Sequence, residues 1–262
     1  MTTLIFDCDG VLADTERFGH LPAFNQTFAD EGLPVRWSED EYAEKLRIGG
    51  GKERMASLLT DEFVARHGLP ADPEGQKELL ARWHQRKTAA YKQLVAAGVM
   101  PGRPGIARII DEALAAGWTV AVASTSAQES VQAVLEHVVG TEQAAAIEVF
   151  AGDVVPAKKP DPAIYRLALE RTGSSPHETL VVEDSRNGLL AAVGAGLRTV
   201  VTVSSFTKDE DFSEAVLVVT SLGDPGEATR VLANRSPAHP GDFITLDDLQ
   251  ACLEVPTPQE VS

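Results

Sequence analysis

The chain has 262 residues, 44% of them hydrophobic and 24% charged, with 39 Asp plus Glu against 23 Lys plus Arg and a formal net charge of −16. That hydrophobic share excludes a largely disordered chain, and the length allows one large domain or a domain carrying a substantial insertion. A field this negative disfavours nucleic acids and anionic membranes as partners, so a small anionic substrate must meet local positive charge or a metal.

In chain order, Leu4, Ile5 and Phe6 read as a short buried strand that runs straight into Asp7 and Asp9, with Gly10 permitting a tight turn. Residues 15–100 then read as helices one after another: AFNQTFADEG, SEDEYAEKLRI, KERMASLLTDEFVARHG and PEGQKELLARWHQRKTAAYKQLVAAG carry helical spacing with no strand between them. MPGRPG at 100–105 has the composition of a return linker. Beyond it, the strand-like runs WTVAVAS, IEVFAG, TLVVED, LRTVVTV and VLVVT alternate with helical segments, which predicts a parallel sheet covered by helices. The fold expected is therefore α/β: a Rossmann-like parallel sheet core over residues 1–14 and 101–262, with an all-helical domain inserted at 15–100. From about Gly223 the chain mixes Pro and Gly with one short helix, TLDDLQACLE, and ends in a tail expected to fray; the role of this part stays open.

No stretch reaches the roughly 18 apolar residues of a membrane span. Asp7 interrupts the first apolar run, which argues against a secretory leader, and Cys8 and Cys252 form no ligand cluster or CxxC motif. A cytoplasmic monomer acting on a small molecule is expected.

In an extended segment Asp7 and Asp9 share a face at the carboxyl end of a strand, where open α/β sheets bind ligands. Two carboxylates held close repel unless a cation or a shared proton separates them, and hard oxygen ligands favour Mg²⁺; the alternative is a pair of turn or cap residues. VAVAS ends in Ser124, followed by Thr125 and Ser126, whose hydroxyls either cap a helix or hold an anion. Lys158 and Lys159 precede a Pro-initiated helix, where a fixed ammonium can neutralise a phosphoryl oxygen or simply be solvated. LVVED ends in Glu183 and Asp184, a second acidic strand end matching the first. Within the helical insert, RIGGGKERM combines glycines that admit close backbone approach with Lys52 and Arg54, which can meet a second anion or begin a solvated helix.

The ordered set DxDG, a strand ending in Ser, KKPDP and VVEDS resembles the haloacid dehalogenase superfamily of phosphotransferases, with the helical insert in the place of its cap. The resemblance implies Asp7 as the nucleophile that forms an aspartyl-phosphate and Asp9 as general acid/base. It implies that Ser124 and Lys159 hold the phosphoryl group, and that Mg²⁺ is bound by Asp7, the backbone carbonyl of Asp9, and Asp184, with Glu183 close by. The fuller pattern over residues from about 3 to 220 is similar to the CbbY-like phosphatases of photosynthetic organisms. Those enzymes convert xylulose-1,5-bisphosphate, an inhibitor of Rubisco, to xylulose 5-phosphate. This implies a substrate pocket lined by Glu16, His20, Tyr42, Gly50, Gly51, Lys52 and Arg54, with Lys87 and Ser126 as further candidates. It also brings in the plastid stroma as an alternative compartment, should a transit peptide have been removed. Two other readings use the same residues: a sugar phosphomutase of the β-phosphoglucomutase type, and a non-catalytic sugar-phosphate-binding module.

Overall fold

The computed structural model describes residues 1–257; the far end of the tail expected to fray, residues 258–262, lies outside the described residues. The chain divides into two compact units, one made of Met1–Asp14 with the chain from Pro101 onward, the other of Thr15–Met100.

In the first unit, seven strands among the described residues form one sheet: β1 Thr3–Phe6, β2 Thr119–Ser124, β3 Glu148–Ala151, β4 Thr179–Glu183, β5 Arg198–Thr202, β6 Leu217–Val219 and β7 Val231–Asn234. Their order is β3-β2-β1-β4-β5-β6-β7. All neighbouring pairs are parallel except β6 with β7. Strands β1 and β4 are buried throughout because helices cover both faces, which is why they read as continuous apolar runs. One such layer packs Ile164, Tyr165 and Ala168 against Ile5, Ala121 and Val181.

The sequence reading misses β7. Its residues are mostly exposed, with Val231 and Leu232 turned to solvent, so no alternation marks it as a strand. The segment whose role was open thus closes the sheet edge. Arg108 secures it by donating to the carbonyls of Gly223 (2.7 Å) and Ile244 (2.9 Å) and pairing with Asp224 (3.2 Å). The last helix, Leu246–Cys252, starts from a capping box between Thr245 and Asp248.

The second unit is all helical. A π-helical turn at Glu16–His20 leads into the helix Leu21–Asp30, followed by helices Glu39–Leu46, Gly51–Ala56, Asp61–His67 and Pro73–Ala96. The segment expected as one helix over KERMASLLTDEFVARHG is two. The Thr60 hydroxyl accepts from the Phe63 N–H (3.3 Å) and starts a new helix, so apolar periodicity runs across a break that the cap enforces. The core is aromatic: Trp37 packs on Phe24 (5.1 Å between centroids) and Phe28 (4.8 Å), with Tyr42 and Trp83 fully buried. Among the described residues no helix is long and apolar enough to cross a membrane.

Candidate active site

The strand order reverses between β1 and β4, the place where a doubly wound sheet opens a crevice at its carboxyl end. Both acidic strand ends lie there. The Asp7 N–H donates to the Val182 carbonyl (2.9 Å), so the ladder between the two strands runs one residue past Phe6 and delivers Asp7 beside the end of β4. Ligand atoms of Asp7, Glu183 and Asp184 lie within 4.8 Å of one another, and all three residues are buried. Gly10 turns the chain after β1 at φ +80°, and a Cβ there would sit 2.1 Å from Asp184 Oδ2.

Lys159 reaches this cluster from the loop before the helix Ala163–Thr172. Its ammonium donates to Asp7 Oδ1 (2.7 Å), Glu183 Oε1 (2.6 Å) and the Ala123 carbonyl (2.9 Å), which uses all three protons and fixes its position. The Tyr165 hydroxyl also donates to Glu183 Oε1 (2.7 Å), and the Asp184 N–H donates to Glu183 Oε2 (3.0 Å). Glu183 therefore orients Lys159 while sitting inside the acidic cluster.

Burial pushes the Asp7 carboxyl up to about 7; Lys159 opposes the rise, and the charges of Glu183 and Asp9 reinforce it. Burial, then the charges of Glu183 and Asp7, likewise push Asp184 well up. Burial alone would lower Lys159, yet Asp7 and Glu183 outweigh it and hold the ammonium well above its ordinary value. Three carboxylates around one ammonium form a site with an excess of buried negative charge and oxygen ligands only. That donor set fits a hard divalent cation such as Mg²⁺.

Ser124 closes β2, the other neighbour of β1, and is buried. Its Oγ accepts the Ser126 N–H (3.2 Å), and the Ser126 hydroxyl donates to Asp9 Oδ2. The two serines thus brace the turn beside Asp9.

The residues expected on the helical unit fall into three groups. The Tyr42 hydroxyl donates to Glu16 Oε2 (2.5 Å), and Arg54 donates to the Tyr42 oxygen (3.0 Å) and to the Ile48 carbonyl (3.1 Å). His20 Nδ1 and Lys87 Nζ are 2.6 Å apart, with the His20 ring stacked on Tyr91 at 4.3 Å. Lys52 lines a groove of about 490 Å³ with Glu78, Arg82 and His84. Gly50 holds φ +100°, and a Cβ on Gly51 would meet His84 at 3.6 Å.

Sequence reasoning misses Tyr165 and Arg103. Tyr165 stands in the quoted run KKPDPAIY, where helical spacing makes it an ordinary core aromatic. Arg103 lies in the presumed linker; its guanidinium donates to the carbonyls of Val203 (2.8 Å) and Thr220 (2.6 Å).

A family model described as haloacid dehalogenase-like hydrolase matches residues 1–196. A CBBY-like protein of Arabidopsis thaliana is 47% identical over 226 residues, which cover 86% of this chain and 70% of that protein. The crystal structure of CbbY from Rhodobacter sphaeroides in complex with phosphate is similar at 40% identity and a TM-score of 0.74, covering 84% of this chain and 95% of that one. A mutant of the same protein in complex with xylulose-1,5-bisphosphate matches with the same identity, TM-score and coverage.

Proposed function

Since this chain belongs to the haloacid dehalogenase-like hydrolases, we propose that it is a Mg²⁺-dependent phosphatase that hydrolyses xylulose-1,5-bisphosphate to xylulose 5-phosphate and phosphate. It is a phosphoric monoester hydrolase, and the reaction removes an inhibitor of Rubisco. The observation that supports it most is the convergence of Asp7, Glu183, Asp184 and Lys159 at the switch point of the sheet.

In this reading Asp7 attacks phosphorus through a carboxylate oxygen, the sugar oxygen leaves, and Asp9 gives that oxygen its proton. Water then attacks the aspartyl-phosphate, Asp9 takes the proton back, and phosphate departs from a restored Asp7. Ser124 and Lys159 hold the phosphoryl oxygens, the ammonium exchanging its contact with Asp7 for one with the phosphoryl group while it keeps Glu183 and the Ala123 carbonyl, and the Ser126 hydroxyl orients Asp9. Asp7, the Asp9 carbonyl and Asp184 would hold Mg²⁺, with Glu183 beside them. When bound, the ion offsets the charge that keeps a carboxylate and a phosphate apart. Among the helical residues, Lys52 and Arg54 would receive the distal phosphate, and Glu16, His20, Tyr42, Gly50, Gly51 and Lys87 the sugar. On this reading the enzyme acts as a monomer in the cytoplasm, with the plastid stroma as the alternative compartment.

A mutase is not favoured, because the 40% identical CbbY of Rhodobacter sphaeroides is solved in complex with xylulose-1,5-bisphosphate. The deciding experiment is a phosphate-release screen across sugar mono- and bisphosphates, with Mg²⁺ and with chelator. Release from xylulose-1,5-bisphosphate that chelator abolishes supports the reading; an isomerised product without free phosphate overturns it.

A further inference from the structure

Lys87 is a charged residue on the buried face of a helix. Leu79, Trp83, Lys87, Tyr91 and Val95 recur every four positions along Pro73–Ala96 and are all buried, so an ammonium sits in an otherwise apolar and aromatic stripe. We propose that Tyr91 is a positioning residue whose ring holds Lys87 and His20 as one pair, in which Lys87 keeps the charge and His20 offers its Nε2–H to an acceptor oxygen of the sugar phosphate. The inference rests on the reading of His20 as a residue that meets the sugar.

The contacts converge on His20. Lys87 Nζ and His20 Nδ1 are 2.6 Å apart, and only one of the two nitrogens can donate in that contact. The surrounding rings decide which. The Lys87 nitrogen lies 4.9 Å from the centre of the Phe24 ring and 5.1 Å from that of Tyr91, within the range at which ring faces attract a cation. Those faces stabilise an ammonium and do little for a neutral amine, so Lys87 donates and Nδ1 accepts. An accepting Nδ1 places the ring proton on Nε2, the nitrogen across the imidazole from Lys87.

Tyr91 also fixes how the imidazole is turned. Its ring stacks on His20 with 4.3 Å between centroids and 20° between planes. Local structure sets up both sides of the stack. Lys87 and Tyr91 are one helical turn apart on the same face, and His20 closes the π-helical turn Glu16–His20, in which the Leu21 N–H donates to the Glu16 carbonyl. Gly19 permits the close approach, since a Cβ there would lie 2.7 Å from Cε2 of the Tyr91 ring and 2.5 Å from Met100 Sδ. The flexible methionine end can move aside. The buried Tyr91 ring cannot shift without giving up its stack on His20.

The test is nitrogen-15 NMR of the full chain at neutral pH without substrate, then steady-state rates on xylulose-1,5-bisphosphate and the melting temperature. The proteins are the parent, His20→Gln to identify the ring signals, Lys87→Met, Tyr91→Phe, Tyr91→Leu and Gly19→Ala. In the parent, His20 should carry its proton on Nε2 with Nδ1 bare and hydrogen-bonded, and Lys87 should give a slowly exchanging ammonium signal. Tyr91→Phe keeps the ring and should keep both signals, while Lys87→Met should release Nδ1 from its hydrogen bond. Tyr91→Leu and Gly19→Ala should each speed exchange of the ammonium with water and raise KM by about tenfold, with kcat changed less than about threefold. A proton on Nδ1 of the parent, or an amine signal from Lys87, overturns the inference. So does a Tyr91→Leu variant whose signals and KM stay within about twofold of the parent, even if it melts lower, because that marks a merely structural role. Should Tyr91→Leu fail to fold, Gly19→Ala and Lys87→Met decide. If His20→Gln leaves KM and kcat unchanged, both the inference and the reading of His20 fall. If the parent releases no phosphate from this bisphosphate, the functional reading falls and the ring and ammonium signals decide the inference by themselves.

Discussion

Gly10 and Asp184 occupy one space: a Cβ on Gly10 would lie 2.1 Å from Asp184 Oδ2, so the turn after β1 and the acidic end of β4 are shaped around each other. Gly10 is also at φ +80°, a conformation that costs an L-residue about 1–2 kcal/mol. Gly10→Ala is expected to lower the unfolding free energy by at least that amount and to displace Asp184. Mg²⁺ titration together with denaturant unfolding checks both effects; a variant as stable and as tightly metal-binding as the parent contradicts the contact.

Asp7 is the only one of the three clustered carboxylates given a nucleophilic role, and its amide continues the β1–β4 ladder whatever its side chain. Asp7→Asn should therefore fold and melt cooperatively while phosphate release drops by at least about 1,000-fold. Retained turnover removes Asp7 as nucleophile.

The raised carboxyl of Asp7 carries a pH signature. Between its ordinary value of 3.8 and its folded value of about 7, the unfolded chain binds fewer protons than the folded one. Stability from this group is thus present at low pH and declines as pH rises through that window. In chelator, the melting temperature should fall between about pH 4 and pH 7 more steeply for the parent than for Asp7→Asn. Mg²⁺ competes with the same protons, so its affinity should weaken below about pH 7 and binding should release protons. Calorimetry in two buffers of different ionisation enthalpy reads that release directly.

Tyr165 donates to the oxygen of Glu183 that also receives Lys159. Tyr165→Phe removes a buried hydrogen bond to a charged acceptor, worth about 1.5–3 kcal/mol, without removing the ring from the core. Unfolding should shift by that amount, and turnover should fall further than Mg²⁺ affinity, because Lys159 loses part of its restraint. An unchanged kcat would separate Tyr165 from the chemistry.

Lys52 lines its groove with other charged residues, whereas Arg54 is engaged with Tyr42 and Ile48. Lys52→Ala should raise KM for a sugar bisphosphate several-fold more than for the corresponding monophosphate. Steady-state rates on both substrates decide it, and equal losses refute a distal-phosphate role.

What the sequence determined alone is what repeats locally. Apolar runs ending in acids marked β1 and β4, Lys159 and Ser124 followed in a recognisable order, and the unbroken helical spacing of 15–100 set that stretch apart. These signals persist because the sheet is buried on both faces and its carboxyl ends can carry polar groups only where they find partners. Other features have no local mark. The break at Thr60 depended on one hydroxyl meeting one N–H, and β7 pairs through its backbone while its side chains face water. Likewise Tyr165 and Arg103 acquire meaning only when β4, β5 and the loop after β1 are adjacent. Tertiary structure decided those cases because a hydrogen bond between residues 100 positions apart is specified by the packing that brings its ends together, and composition at either end does not encode it.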